Sequence, residues 1–203
     1  MARRTGLTIR FRRLAPALLL CCAGVTSSVT ADPLLWRSMD WFEGRWDGTE
    51  EGVSGKGRTA RCVSTLFSGR FRFHWSVFEL SPQPKSPEGA RHERWQILGR
   101  KPDTDLIVLE QFDSAGYRSE FRLDPAQSRA DRFVFRAVEL DSAPEGMDAR
   151  VVWAVTGGDS FRETLELGPV DGDLEPVSTL RWRRVSNAIV DCTGPAPEIG
   201  RAY

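Results

Sequence analysis

Carboxylates and arginines at alternating positions are the residues of this chain best suited to chemistry. Glu93, Glu110, Glu120, Glu139, Glu163 and Glu166 all fall in short alternating stretches. Glu163 shares a face with Phe161 and Leu165, which predicts that it points inward; Arg181 and Arg183 alternate with Leu180 and Trp182. An inward Glu163–Arg181 pair would hold a carboxylate-bearing ligand or carry an acid–base step. The plainer alternative is a set of solvent-facing charges on an outer wall.

Other chemistries find little support. A serine nucleophile needs a base and a strained elbow, and no Gly-x-Ser-x-Gly is present around Ser68-Gly69. The two histidines, His74 and His92, are not clustered with cysteines at zinc-site spacing, so no metal is expected. His74 lies opposite the Phe71/Phe73/Trp75 face. Were that face reversed, His74 would point inward as a possible ligand for iron or zinc. Gly52 to Gly57 with Lys56 lacks the phosphate-loop pattern and reads as a hairpin turn.

Aromatic residues are more telling. Trp46, Phe71, Phe73, Trp75, Trp95, Phe121 and Trp153 lie in predicted strands, and with Glu163 and Arg181 they are the expected lining of an interior pocket. Tryptophan offers such a pocket a flat apolar contact and one N–H donor. The competing expectation is that the same rings simply fill a core.

The elements that must position these side chains are nearly all strands. Asp32 as a cap and Pro33 at the first helical position begin a short helix over 33–42, with Leu35, Met39 and Phe42 on one face, and Gly44 ends it. Ten strands follow, at 44–51, 59–66, 70–80, 90–98, 106–111, 117–123, 132–140, 149–155, 160–167 and 177–185. The third is the clearest, with Phe71, Phe73, Trp75 and Val77 on one side and Arg72, His74 and Ser76 on the other. Links of hairpin length, such as Gly157-Gly158-Asp159, favour an antiparallel up-and-down barrel over a sandwich, and closure removes exposed edges. The fold expected is mainly β, a barrel of about ten strands with one short N-terminal helix.

Residues 1–31 read as an export signal. Five arginines precede the apolar run from Leu14 to Val25, and Val29-Thr30-Ala31 supplies small residues before Asp32. The run is too short to span a bilayer. Leu20 and Cys21 are not the small residues expected ahead of a lipid-anchored Cys21 or Cys22. The remaining 172 residues divide into a barrel at 32–186 and a tail at 187–203. They carry 23 basic and 28 acidic residues, a net of about −5, which argues against a nucleic-acid partner. In a secreted or periplasmic protein the two cysteines of that portion, Cys62 and Cys192, are expected to pair and pin the tail to the barrel.

Three blocks carry a family resemblance: Phe42-Glu43-Gly44-Arg45-Trp46-Asp47-Gly48, Leu66-Phe67-Ser68-Gly69-Arg70-Phe71, and Arg181-Trp182-Arg183-Arg184. Asp113 with Tyr117 adds a weaker match. On these the chain resembles the DUF1579-type calycin-like barrels of unknown function and, more distantly, the nitrobindin-like haem barrels, over residues 34 to about 186. The resemblance implies a small barrel with a pocket for an apolar molecule. The haem-binding relatives use a histidine late in the chain, and none follows His92 here, so no cofactor is carried over.

The functional expectation is an exported barrel binding an apolar or aromatic small molecule. The alternatives are an isomerase or hydrolase using interior carboxylate and arginine residues, or a filled barrel serving as a structural or interaction domain.

Overall fold

The computed structural model describes residues 33–84, 86–141, 143–187 and 192; residues 1–31, expected to be an export signal, and nearly all of the tail lie outside these. A helical segment, α1 (Pro33–Ser38) continuing as a 3-10 turn (Met39–Phe42), leads into ten strands: β1 (Gly44–Gly52), β2 (Gly55–Leu66), β3 (Phe71–Leu80), β4 (Ala90–Arg100), β5 (Ile107–Asp113), β6 (Arg118–Leu123), β7 (Arg132–Leu140), β8 (Met147–Gly157), β9 (Ser160–Pro169) and β10 (Glu175–Ser186). Each strand pairs antiparallel with its neighbours in sequence, and β1 pairs with β10, closing the barrel. The expected helix and all ten expected strands are present, with ends displaced by a few residues. No helix among the described residues is long and apolar enough to cross a membrane.

Local chemistry sets the turns. The β1–β2 hairpin turns at Val53-Ser54, and Gly55 follows with φ of +112°, a backbone conformation that disfavours any side chain. Gly48 has another reason to be glycine. A Cβ there would sit 2.8 Å from the Trp182 ring and 2.9 Å from Thr59 Cγ2, so its absence lets Trp182 lie flat against β1.

One end of the barrel is plugged by the helix. Leu35, Met39 and Phe42 are buried, and the Phe42 ring packs edge-on against Phe133 and Phe161 (5.6 and 4.9 Å between centroids). Full burial of a side chain of that size contributes on the order of 2 kcal/mol. Trp46 Nε1 donates to the Phe42 carbonyl (2.8 Å), joining the helix end to β1. Arg72 is buried beneath the helix, paired with Asp40 and stacked 3.8 Å from the Trp36 ring. The plug is therefore held by apolar packing and by one cation from β3.

Register decides which side chains enter the lumen. The β2–β3 ladder pairs Arg61 with Ser76 and Val63 with His74 on one face, and Cys62 with Trp75 and Ser64 with Phe73 on the other. Trp46, opposite Arg61 on β1, and Trp182 on β10 belong to the inner face. Hence β3 turns Arg72, His74, Ser76 and Phe78 inward and Phe71, Phe73, Trp75 and Val77 outward. This corrects the expectation that Phe71, Phe73 and Trp75 line the interior; Trp95, which pairs with Trp75, also faces out and is 47% exposed. The reason is packing on the outside. Phe71 lies over Gly99, with ring atoms 2.6 Å from where a Cβ would stand. Cys62, Phe73 and Cys192 form a second apolar cluster with Leu66, Trp75 and Ile97 against it. Cys62 is bonded to Cys192, their Cα atoms 5.7 Å apart, so this outer strip is where the tail is fastened.

Candidate functional site

The lumen has two regions. Near the helix it is apolar, filled by Phe42, Trp46, Leu98, Phe121, Phe133, Phe135 and Phe161. Midway toward the opposite end it becomes charged. Arg61 from β2, His74 and Ser76 from β3, Gln96 from β4 and Glu163 from β9 are all buried.

Glu163 is the centre of this layer. Its Oε2 lies 2.7 Å from Arg61 Nη1, and its Oε1 lies 4.0 Å from Arg94 Nη1. The strand β9 stands almost diametrically opposite β4 in the closed order, so the Arg94–Glu163 contact crosses the lumen. Arg61 is fixed further by donating from Nε to Ser76 Oγ (2.8 Å), and its guanidinium stacks 4.2 Å from the Trp182 ring. Burial pulls the Arg61 pKa down, and the Glu163 charge opposes that shift.

His74 stacks on Trp153 at 5.1 Å and 23°. Burial first, then the charges of Arg61 and Arg72, drive its pKa well below 6.5, so the ring is neutral. Gln96 donates from Nε2 to Gln111 Oε1 (3.1 Å). Several hydrogen-bonding atoms of this layer have no protein partner: Arg61 Nη2, Arg94 Nε, Gln96 Oε1, both His74 nitrogens, Trp153 Nε1 and Trp182 Nε1.

Above this floor, at the mouth away from the helix, His92 stacks on Phe78 at 4.4 Å. Burial and Arg94 lower the His92 pKa, while Asp113 and Glu50 act against them. Glu50 Oε1 accepts from Ser178 Oγ (2.9 Å), and its Oε2 is buried without a partner. Asp113 Oδ1 is occupied by the Ala115 amide (2.9 Å).

Of the expected lining, the structure brings Trp46, Phe121, Trp153 and Glu163 into the interior. Trp46 and Phe121 belong to its apolar, filled part, while Glu163 lies at the centre of the charged layer and Trp153 borders it. Arg181 is corrected to the outer wall. It pairs across β1 with Thr49 and meets Glu51 at 3.8 Å in solvent. The cation facing Glu163 is Arg61 instead. Arg61, Arg94, Gln96 and Glu50 went unrecognised, because nothing in their own stretches marks polar positions as inward. His74 does point inward, as the reversed-face alternative required. Among the described residues no group of three or more His, Cys, Asp or Glu could hold a metal ion.

No protein-family model matches the chain, and no curated protein matches it. Among solved structures it is similar to the crystal structure of Rv2717c from M. tuberculosis, with 11% identity over 77% of this chain and 99% of that one, at a TM-score of 0.50. It is also similar to a de novo designed fluorescence-activating β-barrel, with 16% identity over 71% and 94% of the two chains and a TM-score of 0.37. At 11% identity the likeness to the first of these bears on the fold alone, a closed antiparallel β-barrel, and says nothing about activity.

Proposed function

We propose that this protein is an exported barrel that binds a small molecule in its lumen, reached through the mouth opposite the helix plug. The observation that carries this reading is the mid-lumen layer of Arg61, His74, Arg94, Gln96 and Glu163, with its unpartnered hydrogen-bonding atoms. A buried polar group without a partner costs about 1–3 kcal/mol. A barrel serving only as a packed domain gains nothing from such a layer, whereas a binding site uses it to orient a guest. The expectation of a purely apolar guest narrows accordingly. The ligand has polar groups for this floor. Membership of the DUF1579-type barrels and a periplasmic or secreted location are part of the same proposal. An acid–base mechanism on Glu163 and Arg181 loses its basis, since the two side chains lie on opposite sides of the wall.

The test is native mass spectrometry of gently purified mature protein, with an absorption spectrum of the same sample. A retained adduct, lost when Arg61 and Glu163 are both replaced, supports the reading. An adduct that survives that replacement, or a bare mass together with no uptake of added aromatic probes, counts against it.

A further inference from the structure

A hollow lies on the outer wall, near the mouth, where β4 meets the end of β5. Its volume is about 240 Å³, and it is lined by Glu93, Trp95, Phe112, Asp113 and Ser114. We infer that it is a second binding site, separate from the lumen, and that it takes a methylated ammonium group.

The walls come first. Trp95 and Phe112 are register partners on β4 and β5. Trp95 packs edge-on against Phe73 and Trp75 of β3, at 5.7 and 5.9 Å between centroids, and it also borders the hollow with Phe112. It is 47% exposed, and Phe112 is half-buried, so both rings can be reached from solvent. A cation against the face of an aromatic ring is attracted by the ring quadrupole, most strongly for tryptophan. Charge comes second. No lysine or arginine lines the hollow, whereas two acidic residues do. Asp113 pairs in register with Arg94 and offsets the one positive charge left over by Arg61, Arg94 and Glu163. Glu93 remains. Its Oε2 accepts from Trp75 Nε1 (3.0 Å), which holds the carboxylate on the outer wall and cancels none of its charge; among the described residues no cation pairs with it. The neighbouring arginines of the wall are already taken: Arg91 by Glu79 (3.1 Å), and Arg118, opposite Phe112, by Glu139, Glu110 and Glu120. The third feature is a shortage of acceptors. The walls are mostly apolar, and the Ser114 hydroxyl is occupied by the Glu93 amide (3.0 Å). A primary ammonium has three N–H donors to satisfy, whereas a trimethylammonium has none and presents its charge through methyl groups. Pockets for whole drug-sized ligands run to about 300–1,000 Å³, so this one suits a head group.

The experiment uses the mature protein with its disulfide intact. Three probes are titrated: choline, its uncharged carbon isostere dimethylbutanol, and ethanolamine. Binding is followed through the indole N–H resonances of nitrogen-labelled protein. The expected result is that choline shifts the Trp95 resonance and binds about tenfold more tightly than dimethylbutanol, and more tightly than ethanolamine. Glu93→Gln keeps an acceptor for Trp75 and removes the charge; it should erase most of the preference for choline over dimethylbutanol without altering the circular dichroism spectrum. Trp95→Leu should abolish choline binding; if that variant does not fold, Glu93→Gln decides alone. Equal affinity for choline and dimethylbutanol, or for choline and ethanolamine, overturns the ligand class, as does an unchanged preference in Glu93→Gln. Shifts at Trp153 and Trp182 with none at Trp95 place the probe in the lumen and overturn the outer site, and so does the absence of any shift.

Discussion

Removing the Glu163 carboxylate alone should destabilise the barrel more than removing the whole ion pair. Glu163→Leu leaves the Arg61 guanidinium fully buried beside Trp182 without its counter-charge. Breaking a buried pair from one side costs about 3–5 kcal/mol. Arg61 would retain the Ser76 hydroxyl and the Trp182 face, the latter worth about 2 kcal/mol when desolvated, so the lower figure is expected. The double variant Arg61→Met with Glu163→Leu removes both charges and keeps an unbranched stem against Trp182. Replacing a buried pair by apolar groups of similar volume is close to neutral. The expected cycle is therefore a loss of about 3 kcal/mol for Glu163→Leu and about 1 kcal/mol or less for the double variant. Urea unfolding followed by tryptophan fluorescence reads both, since the rings of Trp46, Trp153 and Trp182 sit within the core. The reasoning is refuted if Glu163→Leu is as stable as the parent, or if the double variant is as damaged as the single one.

Other consequences can be checked with the same protein. His74 is neutral in the fold and takes up a proton near pH 6.5 once unfolded, so the unfolded state binds more protons below that pH. Its contribution to stability is thus complete above about pH 6.5 and declines as pH falls, by about 1.4 kcal/mol per unit while the folded ring stays neutral. His74→Phe should flatten the fall in urea midpoint between about pH 6.5 and pH 5, and an unchanged slope would reject the assignment. Reducing Cys62–Cys192 opens a link between residues 130 apart, which a chain-entropy estimate values at about 5 kcal/mol. Cys192→Ser should lower the unfolding midpoint and raise the solvent accessibility of Trp75 to acrylamide. Gly48→Ala drives a methyl into Trp182 and Thr59 and should cost about 1–3 kcal/mol by denaturant unfolding, whereas Gly158→Ala, with open space around it, should cost far less.

The architecture was legible because it rests on short-range signals. Alternation in β3, the Gly157–Asp159 turn and the Pro33 start with Leu35, Met39 and Phe42 on one face are each written within about ten residues. The lining of the lumen was not legible, because alternation identifies two faces without saying which is inside. On β3 the usual rule, aromatic face inward, gives the wrong answer: the aromatic face lies outside with Cys192, and the polar face is buried. One sequence signal does reveal this. A tail leaving the last strand of a closed barrel meets a mid-strand cysteine only from outside. The hairpin turn at 67–70 then pairs Cys62 with Trp75, so the disulfide places Phe73 and Trp75 outside and Arg61, His74 and Ser76 inside. The partner of Glu163 was out of reach for a different reason. Arg61 comes from β2 and Arg94 from β4, and only closure through β1–β10 brings them to β9.

That closure also bears on why charges stand in the middle of the barrel. Ten strands enclose more space than eight, and short side chains from opposite walls do not meet across it. Arginine and glutamate are long enough to span the gap, but methionine and leucine span most of it without the cost of burying charge. Bracing the lumen therefore does not by itself require ions. If the ions serve recognition, stability and binding must separate in one molecule. The variant with Arg61→Met, Glu163→Leu and Arg94→Gln together should then keep the parent's unfolding midpoint nearly intact while losing its uptake of added aromatic probes. If uptake survives in that stable variant, the triad acts as a brace and the guest is recognised elsewhere.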